Sequence, residues 1–112
     1  MNVIKEWQSF LRRISTEFPV DDYSIYEGNG FDMQLLTGVP VPTYFLEECL
    51  SYSKTMINNR SDGCYMVSQF RVNSTLYLMI LHSNQAMSIT ENEVVYILRD
   101  MVSLQEKLNG KE

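Results

Sequence analysis

One histidine and two cysteines are the side chains of this 112-residue chain best suited to chemistry. Nucleophilic catalysis needs a thiol beside a base, and a metal site needs several ligands at a recognisable spacing. His82 lies at the end of an apolar stretch, while Cys49 and Cys64 form no CxxC pair. Buried structural cysteines and neutral, hydrogen-bonded histidines are the commoner states of these residues. We therefore predict that the chain is not an enzyme and uses no metal or cofactor. A Cys–His dyad in a small acyl- or phosphate-handling enzyme stays an alternative that the fold must decide.

Acidic pairs and a glycine pair are the other patterns that could carry chemistry. Acidic residues lie close together at 21–22, 47–48 and 91/93. None of these pairs has the alternating oxygen ligands of a calcium-binding loop. Gly28 and Gly30 lack the third glycine and the following helix of a dinucleotide-binding fingerprint. The acidic residues therefore indicate solvated surface and charge at a helix end, and the two glycines indicate a turn.

The length and composition favour one folded domain, residues 1–112, with 45% hydrophobic residues to fill a core. A net charge of −5 argues against nucleic acid as a partner, because phosphate binding relies on clustered Lys and Arg. The longest apolar run, residues 76–81, is far short of a membrane span. Charges near the N-terminus argue against a signal peptide. We expect a cytoplasmic protein with reduced thiols and no membrane insertion.

The first element that must position any site is an amphipathic helix over residues 2–17. Its apolar residues recur at spacings of three and four, which places them on one face, and they are Val3, Ile4, Trp7, Phe10, Leu11, Ile14 and Phe18. Pro19 ends the helix, because the residue before a proline disfavours the α conformation.

Four strands and two further helices follow, giving the order α-β-β-α-β-β-α and an α+β class. Strands are predicted at 23–27 and 31–36 around the Gly28-Asn29-Gly30 turn, and longer strands at 64–72 and 75–82. Residues 38–42 are extended because of their two prolines, and Thr43 is expected to cap a helix over 43–58. Thr90 and Glu93 form a capping box for a last helix. The result is an antiparallel sheet packed with helices.

Adaptable apolar residues are abundant, with seven methionines and seven tyrosines. Both types suit binding faces as well as cores. Three helical stripes and four strands present more apolar surface than one small core absorbs easily. The sequence therefore predicts that the chain binds another protein.

The layout from Leu36 to Leu108 resembles the small acidic chaperones of bacterial type III secretion. The resemblance runs through the 36–42 segment, the helix over 44–57 and the strands that follow, and ends in the helix over 91–108. It implies a cytoplasmic, non-catalytic virulence chaperone that holds a secreted client in extended form before export. It also implies a homodimer, or a heterodimer with a similar small chaperone.

The resemblance assigns two sets of surface residues. The dimer interface would use the middle helix and the neighbouring strand, through Phe45, Leu46, Leu50, Tyr65, Val67 and Phe70. Client binding would use the first helix and the early strands, through Trp7, Leu11, Tyr23, Ile25, Phe31, Met33 and Leu35. An exposed strand edge beside apolar grooves can accept an extended peptide through backbone hydrogen bonds.

The segment from Leu76 to Leu108, a strand, a loop and an amphipathic helix, also resembles the end of a GAF or PAS domain. That alternative implies a sensory or regulatory module in which helices flank an antiparallel sheet. It differs from the chaperone interpretation because it predicts a closed pocket for a small ligand.

Overall fold

The fold is taken from a computed structural model that describes residues 3–14, 19–52, 56–72, 74–84 and 99. Two compact units are present, one formed by Met1–Val20 with Ser88–Glu112 and the other by Asp21–Met87. The predicted last helix lies outside the described residues except for Arg99, which is helical.

Helix α1, Val3–Ile14, belongs to the first unit and matches the predicted amphipathic helix. Trp7, Phe10 and Ile14 are fully buried, as their spacing of three and four predicts. The Trp7 and Phe10 rings meet edge to face with their centroids 6.3 Å apart. No helix among the described residues has the length and hydrophobicity to cross a membrane.

The second unit is built on a five-stranded antiparallel sheet with strand order β2-β1-β5-β4-β3. Its strands are β1 Asp22–Gly28, β2 Met33–Gly38, β3 Met56–Arg60, β4 Gly63–Val72 and β5 Thr75–Ser83. β5 pairs with β1 on one side and with β4 on the other. Residues 76–81 of β5 are buried without a break, so this central strand is covered on both faces.

The turn between β1 and β2 is longer than the sequence suggested. The side-chain oxygen of Asn29 accepts hydrogen bonds from the backbone N–H groups of Phe31 and Asp32, at 2.9 and 2.8 Å. This turn, which the asparagine side chain closes on the backbone, delays the second strand to Met33. Phe31 therefore lies in the turn, 96% exposed, and the prediction that it shares a strand face with Met33 and Leu35 is wrong.

The predicted helix over 43–58 is two elements. Helix α2, Thr43–Leu50, is followed by β3, so the prediction of four strands is wrong and the described residues contain five. The side-chain amide of Gln69 donates to the carbonyls of Cys49, Leu50 and Tyr52 and so satisfies the last turn of α2. The helix N-cap is Pro42, without a side-chain cap, so the expected cap at Thr43 is also wrong.

Alternate residues of the central strands face opposite sides of the sheet. The α2 face is the side on which α2 packs, over a buried cluster of Tyr26, Phe45, Cys49, Val67, Leu78 and Ile80. The opposite face carries buried residues that alternate with these in the strand registers, and they are Ile25, Cys64, Met66, Met79 and Leu81. The functional features described below lie on the α2 face.

Candidate functional site

A cavity of about 250 Å³ lies on the α2 face, beneath the segment that joins β2 to α2. We call residues 39–42 the connector. The cavity combines backbone and side chains from β1, the connector, α2, β4 and β5. Its lining residues are Asp22, Tyr23, Ser24, Val39, Pro40, Val41, Pro42, Phe45, Tyr65, Ile80 and His82.

The connector is fastened to β1 by three hydrogen bonds. The Val39 N–H donates to the Tyr23 carbonyl at 2.9 Å, and the Val41 N–H donates to the Tyr26 hydroxyl at 2.9 Å. The Ser24 hydroxyl donates to the Val39 carbonyl. The two prolines of the connector have no N–H, so both N–H groups of this segment are bonded to β1. The roof of the cavity is thus held at a fixed distance from the sheet.

Three rings form one wall of the cavity. Phe45 meets Tyr65 edge to face, with centroids 5.0 Å apart and planes at 64°. Tyr65 stacks on His82 with centroids 4.5 Å apart and planes at 20°. Tyr65 and His82 are register partners on β4 and β5, which explains why the two rings overlap.

His82 is held by acceptors at both ring nitrogens. Its Nε2 lies 2.8 Å from the Asp62 carbonyl oxygen. A carbonyl only accepts, so Nε2 must carry the hydrogen. Nδ1 lies 3.6 Å from Oδ2 of Asp22. In the neutral ring, therefore, Nδ1 offers a lone pair beside the Asp22 carboxylate.

Tyr65 is held in its neutral form. Its hydroxyl donates to Oδ2 of Asp62 at 2.6 Å. Burial, reinforced by this hydrogen bond, raises the pKa of Tyr65 to about 12, and the same bond lowers the pKa of Asp62. The hydroxyl is thus occupied at the rim of the cavity and fixes the ring that faces His82.

A second, open cavity of about 560 Å³ adjoins the first and shares Pro42, Phe45 and Tyr65 with it. Arg60 borders it, forms an ion pair with Glu48, and places its guanidinium 4.9 Å from the centre of the Phe45 ring. Glu48 also accepts a hydrogen bond from the Tyr52 hydroxyl at 2.8 Å. Phe45 therefore borders both the first cavity and this second, charged one.

The structure gives the Cys–His alternative little support. Burial, with a smaller contribution from Glu48, raises the pKa of Cys49 to about 12, so the thiol stays protonated and a weak nucleophile at neutral pH. Cys64 is the register partner of Ser83 rather than of His82, so its side chain points to the opposite face from the histidine. Within the described part of the chain, no group of three or more His, Cys, Asp or Glu residues could hold a metal ion.

The residues predicted for a dimer interface lie largely within the second unit's own core. Phe45 and Val67 belong to the buried cluster, and Leu46, Leu50 and Tyr65 pack against it. Phe70 lies on β4, and the structure does not describe its side chain. These residues therefore hold α2 on the sheet within a single chain.

The residues predicted for client binding are dispersed. Trp7 and Ile25 are fully buried, whereas Phe31 is 96% exposed and Leu35 is 38% exposed. The others are intermediate in exposure, and they are Leu11, Tyr23 and Met33. Phe31, Met33 and Leu35 are close in sequence along the β2 edge, whereas Tyr23 contributes to the cavity.

Sequence reasoning missed the cavity because its lining is not contiguous. The sequence does contain one signal, the Val39-Pro40-Val41-Pro42 run, whose prolines prevent it from joining the sheet. Such a segment must run over other elements, and here it runs over β1. Asp22 and Ser24 follow from the two-residue period of β1, which turns both toward the α2 face.

The comparison with solved structures shows the class of fold. GAF3 of Slr1393 from Synechocystis sp. PCC6803, solved in its photoproduct state, is similar to this chain with a TM-score of 0.66. The likeness covers 98% of this chain and 95% of that chain, at 7% sequence identity. No family model matches the sequence, and no curated protein matches it. The chain thus has a GAF-like α+β fold, which confirms the predicted class.

Proposed function

We propose that the chain is a small sensory or regulatory module of the GAF kind that binds a small molecule in the cavity beneath the connector. The observation that carries this proposal is the cavity on the α2 face, roofed by a connector whose N–H groups bond to β1. Concave, mostly apolar sites with a few converging polar groups are where small ligands bind. The GAF-like fold supports the same function, and it was the alternative that the sequence allowed.

The connector and α2 would carry the signal of ligand binding. The connector leads directly into α2, where the N–H groups of Phe45 and Leu46 donate to the Pro42 carbonyl at 3.0 Å each. A ligand that touches both the connector and Phe45 would stabilise α2 in this position. The proposed output is a change in the order of α2 and its neighbours, without any bond made or broken.

A thermal-shift screen of small metabolites tests this function. A ligand that binds the folded state raises the melting temperature by roughly 4–8 °C for each kcal/mol of stabilisation. Val39→Trp should abolish the shift by filling the cavity, because Val39 lines it while remaining 49% exposed. Leu35→Trp is the matched control, since Leu35 lies on β2 away from the cavity. Equal shifts in both variants would place the ligand elsewhere and overturn the proposal.

The second candidate is the secretion chaperone, and one observation favours it. Phe31 is 96% exposed beside β2, the strand at one edge of the sheet, so an extended segment could pair with β2 and cover this ring. Under this proposal the chain acts in the cytoplasm as a homodimer or heterodimer that binds a secreted client.

Co-expression with an exported protein encoded beside this chain, followed by hydrogen exchange, tests the chaperone function. Protection of the Met33–Gly38 amides in a stable complex is expected. Phe31→Ser should break the complex, whereas Gln34→Ser, an exposed change on the same strand, should leave it intact. A complex that is insensitive to Phe31→Ser, with β2 unprotected, would exclude this assignment.

A further inference from the structure

The hydrogen-bond donors that face the cavity are already occupied. The Ser24 hydroxyl donates to the Val39 carbonyl. The Tyr65 hydroxyl donates to the Asp62 carboxylate, and Nε2 of His82 donates to the Asp62 carbonyl. With the N–H groups of the connector bonded to β1, a ligand finds few donors in the lining. Anions and other ligands that need donors therefore fit this cavity poorly.

Two acceptors remain at one end of the cavity. The Asp22 carboxylate is an acceptor with its side chain 54% exposed, and Nδ1 of His82, which is a second acceptor when the ring is neutral, lies 3.6 Å from it. A ligand N–H group placed between them would replace the long contact with two short hydrogen bonds. Because one acceptor carries a full negative charge, a cationic donor gains more than a neutral one.

The aromatic wall also favours a cation. Phe45 already accepts a guanidinium on its ring, from Arg60 at 4.9 Å. Tyr65 and Phe45 line both cavities, so a positive charge in the cavity beneath the connector would meet the same pair of rings. The net charge of −5 on the whole chain further biases encounters toward cations.

The volume limits the size of the ligand. Drug-sized ligands occupy pockets of roughly 300–1,000 Å³, and this cavity is about 250 Å³. This size suits a ligand smaller than a drug-sized molecule. Proline, valine and isoleucine side chains line the rest of it, which suits an apolar body.

We propose that the cavity binds a small organic amine, with its ammonium group between Asp22 and Nδ1 of His82 and its apolar body beneath the connector. This inference rests on the proposed ligand-binding function and names the chemical class of its ligand. The ammonium supplies the donors that the lining lacks.

Three probes of nearly equal size test the inference: benzylamine, benzyl alcohol and benzoate. Their dissociation constants for the intact chain are measured by chemical-shift titration. We expect benzylamine to bind about five- to tenfold more tightly than benzyl alcohol, since Asp22 is half exposed and its charge is partly screened. We expect benzoate to bind more weakly than both.

Substitutions at Asp22 separate the charge from the cavity. Asp22→Asn should remove the preference for benzylamine over benzyl alcohol, and Asp22→Glu should retain part of it. Asp32→Asn is the matched control, because it removes the same charge from the exposed turn between β1 and β2. If it abolishes the preference as fully as Asp22→Asn, the selectivity comes from net charge and the assignment to Asp22 is overturned.

The failures of the two proposals are distinguishable. If benzyl alcohol or benzoate binds as tightly as benzylamine, and Val39→Trp blocks that binding, the amine inference fails while the ligand-binding function stands. If no probe or metabolite binds in a manner that Val39→Trp blocks, both proposals fail. Preserved dispersion in the spectra of each variant shows that the fold is intact.

Discussion

The two faces of the sheet use the same strands for different purposes. On the opposite face, Ile25, Met79 and Leu81 are fully buried and apolar. On the α2 face, their neighbours Ser24 and His82 border a cavity and carry hydrogen-bonding atoms. Since side chains alternate along a strand, successive residues of β1 and β5 can serve stability and binding independently.

This difference shows how a small domain can keep a cavity. A void costs stability because its lining loses packing contacts. Here three hydrogen bonds to β1 hold the connector above the sheet, so the space beneath it remains open. The opposite face carries fully buried apolar residues of β1, β4 and β5. Stability should therefore respond much more strongly to changes on the opposite face than to changes at the cavity roof.

The largest effect is expected from a truncation on the opposite face. Leu81→Ala removes a fully buried side chain from the central strand and should cost about 2–5 kcal/mol of the free energy of unfolding, measured with urea. Val39→Ala at the half-exposed roof should change it by less than about 0.5 kcal/mol. Similar losses at the two positions would refute the proposed division between the faces.

Substitutions at two glycines distinguish the cost of backbone strain from the cost of a steric collision near the site. Gly63 and Gly30 both have positive φ, at 131° and 99°. A Cβ at Gly63 would collide with the Ser83 carbonyl and approach Nε2 of His82, whereas a Cβ at Gly30 makes only an ordinary van der Waals contact with Leu76, at 3.8 Å. Gly63→Ala should cost about 2–4 kcal/mol, through strain and collision together.

The control, Gly30→Ala, should cost about 1–2 kcal/mol from the backbone conformation alone. The measurement is the midpoint and slope of urea unfolding for both variants, with the His82 ring resonances as a local readout. A Gly63 variant that is no less stable than the Gly30 variant would show that β4 and β5 can separate at this end without loss.

The parts of the fold that the sequence predicted are those with long, uninterrupted periods. The stripe of Trp7, Phe10 and Ile14 gave α1, and the apolar run at 76–81 gave strand β5. These patterns suffice because burial of a whole face outweighs local preferences. The α+β class follows from the same two elements.

The missed strand β3 shows what a local pattern cannot decide. Met56 and Ile57 continue the apolar spacing of α2, so the sequence is compatible with one longer helix. The decision is made by Gln69, which bonds the last carbonyls of α2, and by the β4 edge, which needs a partner. Both lie outside the 43–58 window from which the longer helix was predicted.

The cavity could not be predicted for a similar reason. Its roof depends on hydrogen bonds from Val39 and Val41 to Tyr23 and Tyr26, which are 15 or more residues earlier. The stacking of Tyr65 on His82 depends on the register of β4 and β5. The sequence pointed to His82 as a single chemical group, but only the register supplies its neighbours.

A smaller effect is expected at the end of α2. Gln69→Leu leaves the carbonyls of Cys49, Leu50 and Tyr52 without the amide donor and should cost about 1–2 kcal/mol. In the Gln69→Leu variant, hydrogen exchange should accelerate more in the last turn of α2 than in β5, relative to the unsubstituted chain. Gln34→Leu, an exposed change on β2, is the matched control and should leave exchange in α2 unchanged. Equal protection in the two variants would mean that packing alone ends the helix.

The smallest expected effect is on the free energy of unfolding at alkaline pH. It distinguishes Tyr65, in the cavity wall, from a tyrosine on the exposed surface. Burial and the bond to Asp62 raise the pKa of Tyr65 from its ordinary value of 10 to about 12, so the folded state holds this proton more tightly than the unfolded state. The stabilisation is complete below pH 10 and is lost as the pH rises toward 12.

Tyr65→Phe should therefore flatten the fall in the free energy of unfolding between pH 10 and pH 12, measured by urea titrations across that range. Tyr44→Phe should leave the slope unchanged, because Tyr44 is 73% exposed and belongs to the open cavity. The buried thiol of Cys49 contributes in the same direction in both variants, since its pKa is also raised to about 12, and so cancels from the comparison. A slope that is identical in the two variants would mean that the Tyr65 hydroxyl is hydrated in the folded state, and that the wall of the cavity is open to water.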